Sequence, residues 1–142
     1  IVRIFNTYGP RMLANDGRVI SNFIIQGLQN KPLTIYGNGN QTRSFCYVDD
    51  MIDGILKIMA SQVNGPINIG HSLEVSIKEL AEIIKNKINP RLEFIYKPLP
   101  SDDPLKRNPD LEKVEKIINW FPNTALEDGI AKTILWFKKN NL

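Results

Sequence analysis

Residues 1–12 read IVRIFNTYGPRM, and this stretch decides the fold class. Ile1 to Phe5 is β-branched and aromatic, the composition of a buried strand. The run breaks at Asn6-Thr7-Tyr8 into a Gly9-Pro10 turn, with Arg11 just beyond. A buried strand that delivers polar groups at its carboxyl end is the arrangement by which open α/β sheets meet ligands. Asn6 also suits a turn in which the side chain bonds its own backbone. Local spacing leaves both roles open.

Working outward, apolar residues recur at helical spacing through Val19, Ile20, Phe23, Ile24 and Leu28, which predicts a helix from about 19 to 29. Lys31-Pro32 stops it. Leu33 to Tyr36 and Ser44 to Val48 read as strands flanking Gly37-Asn38-Gly39-Asn40, and the pattern predicts a hairpin. Asp49-Asp50 opens a helix with two carboxylates near its positive end. Its expected apolar face is Met51, Ile52, Ile55, Ile58 and Met59. Ile67 to Ile69 is a short strand. Ser76-Ile77-Lys78-Glu79 is a capping box that opens a helix carrying Leu80, Ala81, Ile83, Ile84 and Ile88. Arg91 to Tyr96 alternates as a strand. Pro98, Pro100, Pro104 and Pro109 make 98–109 a stiffened loop. Asp110 caps a short helix ending near Asn119. Thr124 to Glu127 reads as a second capping box, before a helix with Ile130, Ile134, Leu135 and Phe137 inward. The pattern is mixed α/β, with strands too scattered for a self-contained, regularly alternating sheet.

The chain has 142 residues, 42% apolar and 23% charged, which fits one globular domain and excludes a disordered one. A net charge of +3 with no block of like charges suits a small anionic ligand and argues against nucleic acid. The single cysteine, Cys46, cannot form an internal disulfide and points to a reducing, cytoplasmic setting. No long apolar run suggests a membrane span. The opening in mid-strand without Met raises the expectation of an upstream part.

Several chemistries lack material. His71 is the only histidine, so neither a metal site nor a histidine-based triad is expected. Cys46 lies within an alternating strand and reads as a core residue. Gly37 and Gly39 are followed by Thr42, so no Gly-x-Gly-x-x-Gly turn forms. No Tyr has Lys four residues later. Trp120 and Trp136 read as packing residues. What remains is cations at turns: Arg11, Arg18, Arg43 after the Gly-rich turn, and Arg107 in the proline-stiffened loop. A guanidinium fork binds phosphate oxygens through two bonds. Two such forks from separate loops can clamp a diphosphate, although isolated surface arginines are common.

RIFNTYGPRM, NDGRVISNFIIQGL, PLTIYGNGNQTRSFCYVDDMIDGI, GPINIG and DDPLKRNPDLEK together resemble the carboxyl-terminal half of extended short-chain dehydrogenase/reductase proteins of the NAD-dependent epimerase/dehydratase family. The nearest branch resembles the UDP-glucuronic acid decarboxylases. The dTDP-glucose 4,6-dehydratases and UDP-sugar 4-epimerases are the competing branches, and a non-catalytic nucleotide-sugar-binding fragment is the competing class. The resemblance implies a Rossmann-type α/β fold, of which residues 1–142 form mainly the small substrate-binding subdomain. The NAD-binding portion and the catalytic Tyr-x-x-x-Lys pair would lie upstream, so no catalytic residue is assigned here.

The same resemblance implies site roles. Asn6 contacts the diphosphate, and Ser21 and Asn22 open the helix along the nucleotide. Thr34, Ile35 and Tyr36 present main-chain groups to uracil. Arg43 and Arg107 hold the diphosphate, with Arg107 also near the sugar carboxylate. Thr7 and Arg18 stand beside NAD. The implied reaction oxidises C4 of UDP-glucuronate, releases CO2 from the β-keto acid, and returns the hydride. The implied partners are a UDP-sugar and, through the exposed first strand, a second copy of the chain; no nucleic acid, membrane or metal is expected.

Overall fold

The computed structural model describes residues 1–100 and 106–140. Nine strands and five helices form among the described residues: β1 Val2–Ile4, β2 Thr7–Tyr8, α1 Val19–Leu28, β3 Leu33–Tyr36, β4 Thr42–Ser44, β5 Cys46–Tyr47, α2 Val48–Met59, β6 Ile67–Ile69, β7 Glu74–Ser76, α3 Ile77–Ile88, β8 Phe94–Lys97, β9 Lys106–Arg107, α4 Glu112–Ile118 and α5 Leu126–Lys139. Three parallel pairs, β1 with β6, β2 with β5 and β3 with β8, stand beside one three-stranded sheet of order β7-β4-β9. The fold is mixed α/β and Rossmann-like in its parallel pairing.

The expected hairpin does not form. β3 pairs with β8, Thr34 opposite Ile95, while β4 runs antiparallel to β7 and parallel to β9. The Gly-Asn-Gly turn is there, with Gly37 and Gly39 at φ 68° and 77°. Its carbonyls serve another element, however. The Lys78 amide donates to Gly39 O at 3.0 Å and the Ile77 amide to Gln41 O at 3.1 Å. The turn therefore anchors the start of α3 and sends the chain away from β3. The strand expected at 44–48 divides at Phe45 into β4 and β5, and α2 already starts at Val48.

The helices correct several expected faces. In α2 Met51 is buried, but Ile52 and Met59 are 50% and 74% exposed. The core line runs through Gly54, because the Trp120 indole covers that position; a Cβ there would lie 2.8 Å from Trp120 Cε2. Asp50 does not cap its own helix: its Oδ2 accepts from the Thr124 amide at 2.9 Å. The expected capping box at Thr124–Glu127 is therefore absent, and α5 begins one residue later, with Ala125 before its first turn and no side-chain cap. Ile130, Ile134 and Phe137 are buried, whereas Leu135 is 52% exposed.

The Ser76–Glu79 capping box forms in full at α3. The Glu112 amide donates to Asp110 Oδ1 at 2.9 Å at the start of α4, and Asn119 ends that helix in the left-handed region at φ 48°. The strand expected over 91–96 forms over Phe94–Lys97. The proline-rich stretch contains β9, and its residues 101–105, Pro104 among them, lie outside the described residues.

Two apolar clusters hold these elements together. The larger joins α1, α3 and α5 to β3 through Phe23, Ile35, Leu80, Ile84 and Phe137. The smaller packs Cys46, Met51, Ile67, Val114 and Trp120 between α2, α4 and β6. Burial of this apolar surface is the main favourable term in folding. Among the described residues no helix is long and apolar enough to cross a membrane.

Candidate functional site

One cleft of about 350 Å³ opens where β2, α1, β3, β4 and β9 meet. Asn6, Thr7, Arg18, Asn22, Thr34, Tyr36, Arg43 and Arg107 line it, together with Tyr8, Gln41, Phe45 and Ile77. Eight positions singled out by sequence thus share one concavity, although they come from five separate stretches. Ser21 and Ile35 do not reach it with their side chains. Ser21 is fully buried, and its hydroxyl donates to Asp16 Oδ1 and to Arg18 O at 3.0 Å. Ile35 is fully buried in the larger cluster.

The two arginines arrive on adjacent strands. β4 and β9 run parallel with Arg43 directly opposite Arg107. Strand side chains alternate between faces, so both project from the same face of the sheet. Arg43 is 8% exposed, and its Nη1 donates to Thr42 O at 2.8 Å. That bond fixes the guanidinium before any ligand arrives. Arg107 is exposed at the rim.

Asn6 lies at the carboxyl end of β1 with φ 21°. Its Nδ2 donates to Ser44 O at 3.0 Å, and its own carbonyl accepts from the Cys46 amide at 3.0 Å. Asn6 therefore ties the strand end to β4, the strand that carries Arg43. Across the cleft, Arg18 precedes α1. Its Nε lies 3.6 Å from Asp16 Oδ2, and its Nη1 donates to Thr7 O at 3.4 Å. The Arg18 backbone amide donates to Asp16 Oδ1 at 3.0 Å. Asp16 thus sets the helix start and turns the Arg18 side chain along the cleft margin.

The free edge of β3 forms one wall. The Leu33 and Gly37 amides donate to Glu93 O and Lys97 O on the β8 side, at 2.9 and 2.8 Å. The even positions turn the other way. There Gln26 Oε1 accepts from the Thr34 amide at 2.9 Å, and Gln41 Nε2 donates to Tyr36 O at 2.8 Å. The Thr34 carbonyl and Tyr36 amide lie between these two capped groups, an acceptor and a donor side by side. Sequence reading missed Gln26 and Gln41. No spacing rule singles out a glutamine from another element that closes a strand edge.

The titratable groups near the cleft do not suit acid–base work. Burial, followed by the negative charge that Cys46 and Tyr47 would carry, pushes the Tyr8 hydroxyl well above the usual phenol range. That hydroxyl donates to Leu126 O at 3.2 Å. Burial and then Asp50 push the Cys46 thiol up to about 12, so it stays a neutral core group. His71 lies in a loop, its Nδ1 accepting from the Leu73 amide at 3.0 Å, and burial lowers its pKa. No metal-holding group of His, Cys, Asp or Glu occurs among the described residues. The arrangement can bind and orient an anion: two guanidinium forks, a polar strand edge and a strand-end amide surround a space the size of a small ligand.

Known proteins resemble the chain in sequence and in fold. Residues 1–70 match the NAD dependent epimerase/dehydratase family. UDP-glucuronic acid decarboxylase 1 of Arabidopsis thaliana is 44% identical over 100% of the chain, which covers 33% of that protein. The chain therefore spans about a third of the length of such curated relatives. The solved UDP-glucose 4-epimerase of Thermotoga maritima, in complex with UDP-glucose, superposes with a TM-score of 0.94 at 29% identity, over 99% of this chain and 46% of that one. The UDP-glucuronic acid 4-epimerase of Bacillus cereus, in complex with UDP-glucuronic acid and NAD, gives 0.90 at 29% identity over 98% of this chain and 45% of that one. In sequence, relatives and backbone course alike, the chain is similar to proteins of the NAD dependent epimerase/dehydratase family, with residues 1–70 matching the family itself.

Proposed function

We propose that residues 1–142 form the substrate-holding portion of an NAD-dependent UDP-glucuronate decarboxylase, which converts UDP-glucuronate to UDP-xylose and CO2. The observation that carries this reading is the convergence of Arg43 and Arg107 on one cleft that also contains Asn6, Thr34 and Tyr36. Arg43, already anchored, and Arg107, at the rim, clamp the diphosphate. The acceptor–donor pair on β3 complements the imide edge of uracil. Arg107 also stands where a sugar carboxylate extends beyond the diphosphate. Identity to the Arabidopsis decarboxylase along the whole chain supports the choice of substrate.

NAD, when bound, supplies the hydride chemistry. The described residues fit it only at an edge: Thr7 and Arg18 line the cleft margin, and the 142 residues hold neither a Gly-x-Gly-x-x-Gly turn nor a Tyr with Lys four residues on. Binding and orientation of the sugar nucleotide is therefore the task assigned to this portion. A reducing, cytoplasmic setting suits its single buried thiol. Among the described residues β1 pairs with β6 alone, and Ile1 and Ile4 are 88% and 58% exposed, so we assign self-association to this edge.

A UDP-sugar 4-epimerase is the second reading, favoured by the two solved neighbours. Calorimetric titration tests the diphosphate clamp and separates the decarboxylase from an epimerase of the UDP-glucose kind. UDP is expected to bind more tightly than uridine or dTDP, and UDP-glucuronate more tightly than UDP-glucose. Arg107→Ala is expected to weaken UDP by about tenfold, the loss of a hydrogen bond to a charged group. The purified chain with NAD is expected to release no UDP-xylose. Equal affinity for UDP and uridine overturns the diphosphate clamp, UDP-glucose binding as tightly as UDP-glucuronate favours the epimerase, and UDP-xylose release overturns the division of labour.

A further inference from the structure

The three-stranded sheet that carries both arginines is joined by a carboxylate on its opposite face. We propose that Glu74 is a positioning residue for the cleft: by bridging Thr42 and Lys106 it fixes the strand register that sets Arg107 opposite Arg43. This rests on the reading of the cleft as a diphosphate site.

Among the described residues β9 is two residues long, Lys106–Arg107, and lies at the sheet edge with β4 as its neighbour. Just beyond it Asn108 Nδ2 donates to Ser72 O at 3.2 Å. The β9 register, Thr42 opposite Lys106 and Arg43 opposite Arg107, places two cations side by side. Like charges directly opposite weaken a strand pair by themselves. Alternation puts Arg43 and Arg107 on the cleft face and Thr42, Lys106 and Glu74 on the reverse face.

On that reverse face one carboxylate spans all three strands. Glu74 belongs to β7, where Ser44 is its direct partner on β4. Its Oε1 accepts from Thr42 Oγ1 at 2.7 Å, and its Oε2 from Lys106 Nζ at 2.7 Å. The Lys106 hydrogen bond first, then that from Thr42, hold the Glu74 carboxyl below the usual glutamate range, and Asn108 contributes a further hydrogen bond. The group is therefore ionised at neutral pH. A one-residue slip of β9 would turn Arg107 to the reverse face and Lys106 toward the cleft. The Glu74 bridge opposes that slip, because a one-residue shift takes Lys106 off the face that Glu74 occupies.

The test uses the 142-residue chain with UDP and uridine as probes. Glu74→Ala is expected to weaken UDP about fivefold and leave uridine within about twofold, since only the diphosphate end depends on Arg107. Arg107→Ala added to Glu74→Ala is expected to cost much less than Arg107→Ala alone, the non-additivity of residues acting in series. The exchanged pair Glu74→Lys with Lys106→Glu is expected to recover most of the lost affinity. A ligand-free reading comes from hydrogen exchange: Glu74→Gln, which keeps an acceptor for Thr42, is expected to speed exchange of the β9 amide that faces β4 while those of α3 stay protected.

Unchanged UDP affinity in Glu74→Ala, additive losses, or unchanged exchange at β9 each overturn the proposal. If the parent chain fails to prefer UDP over uridine, the diphosphate reading fails, and hydrogen exchange still decides whether Glu74 holds β9.

Discussion

Gly129 marks the tightest residue-scale constraint in the larger core. A Cβ at this position would lie 2.1 Å from the Tyr8 hydroxyl oxygen and 2.9 Å from Tyr47 Cδ2. Tyr8 cannot swing away: it is 2% exposed and meets Phe45 and Tyr47 edge-on, at centroid distances of 6.4 and 5.7 Å. Gly129→Ala is therefore expected to destabilise the chain by roughly 1–3 kcal/mol, the range for overpacking, and thermal unfolding followed by circular dichroism measures it. A melting temperature equal to the parent's would show that the ring pair is looser than its packing implies.

At this scale the cleft was well marked in the sequence where chemistry is local. Asn6 at a strand end, Arg43 after a Gly-rich turn and Arg107 in a proline-stiffened loop all reach the cleft. The Ser21 hydroxyl, by contrast, serves Asp16 and the Arg18 carbonyl inside the fold. Gln41 carried no signal, since its partner Tyr36 is set by the course of the turn between them.

At the scale of elements, α3 shows what a cap contributes and how it responds to pH. The Ser76 side chain accepts from the Glu79 amide at 3.1 Å, and Glu79 Oε2 accepts from the Ser76 amide at 2.8 Å. Ser76→Ala is expected to cost about 1 kcal/mol. The hydrogen bonds from Ser76 lower the Glu79 pKa. A carboxyl depressed in the folded state lends stability that is present above its unfolded pKa and lost as pH falls through the folded one. Chemical denaturation should therefore show parent and Glu79→Gln converging as pH drops below the ordinary glutamate range. Curves that stay parallel would exclude the cap as the source.

Helix starts of this kind are legible because the partners lie within four residues. The hairpin was not legible for the opposite reason. β3 finds β8 about sixty residues away, and β4 is drawn to β7 and β9, pairings that no local turn signal encodes. The Thr124 box failed because Asp50, on another helix, takes the Thr124 amide first.

At the scale of the whole molecule, two of the exposed apolar surfaces bear on association. Ile1 and Ile4 are exposed beside the single-sided β1, and Ile52, Leu56 and Met59 lie along one side of α2, 50%, 58% and 74% exposed. Positions 52, 56 and 59 fall on one helical stripe. Light scattering of the 16.2 kDa chain is expected to show species that grow with concentration. Leu56→Lys together with Ile4→Lys should reduce them, and a monomer at all concentrations in the parent would refute the self-association assigned above.

The placement of the two tryptophans has an optical consequence. Trp120 is 1% exposed in the smaller cluster and Trp136 packs against the larger one. Each indole therefore watches a different half of the interior. In a Trp136→Phe chain the remaining emission comes from Trp120 alone, and its red shift during melting would follow loosening around α2 and α4, against which far-ultraviolet dichroism of the whole chain can be timed.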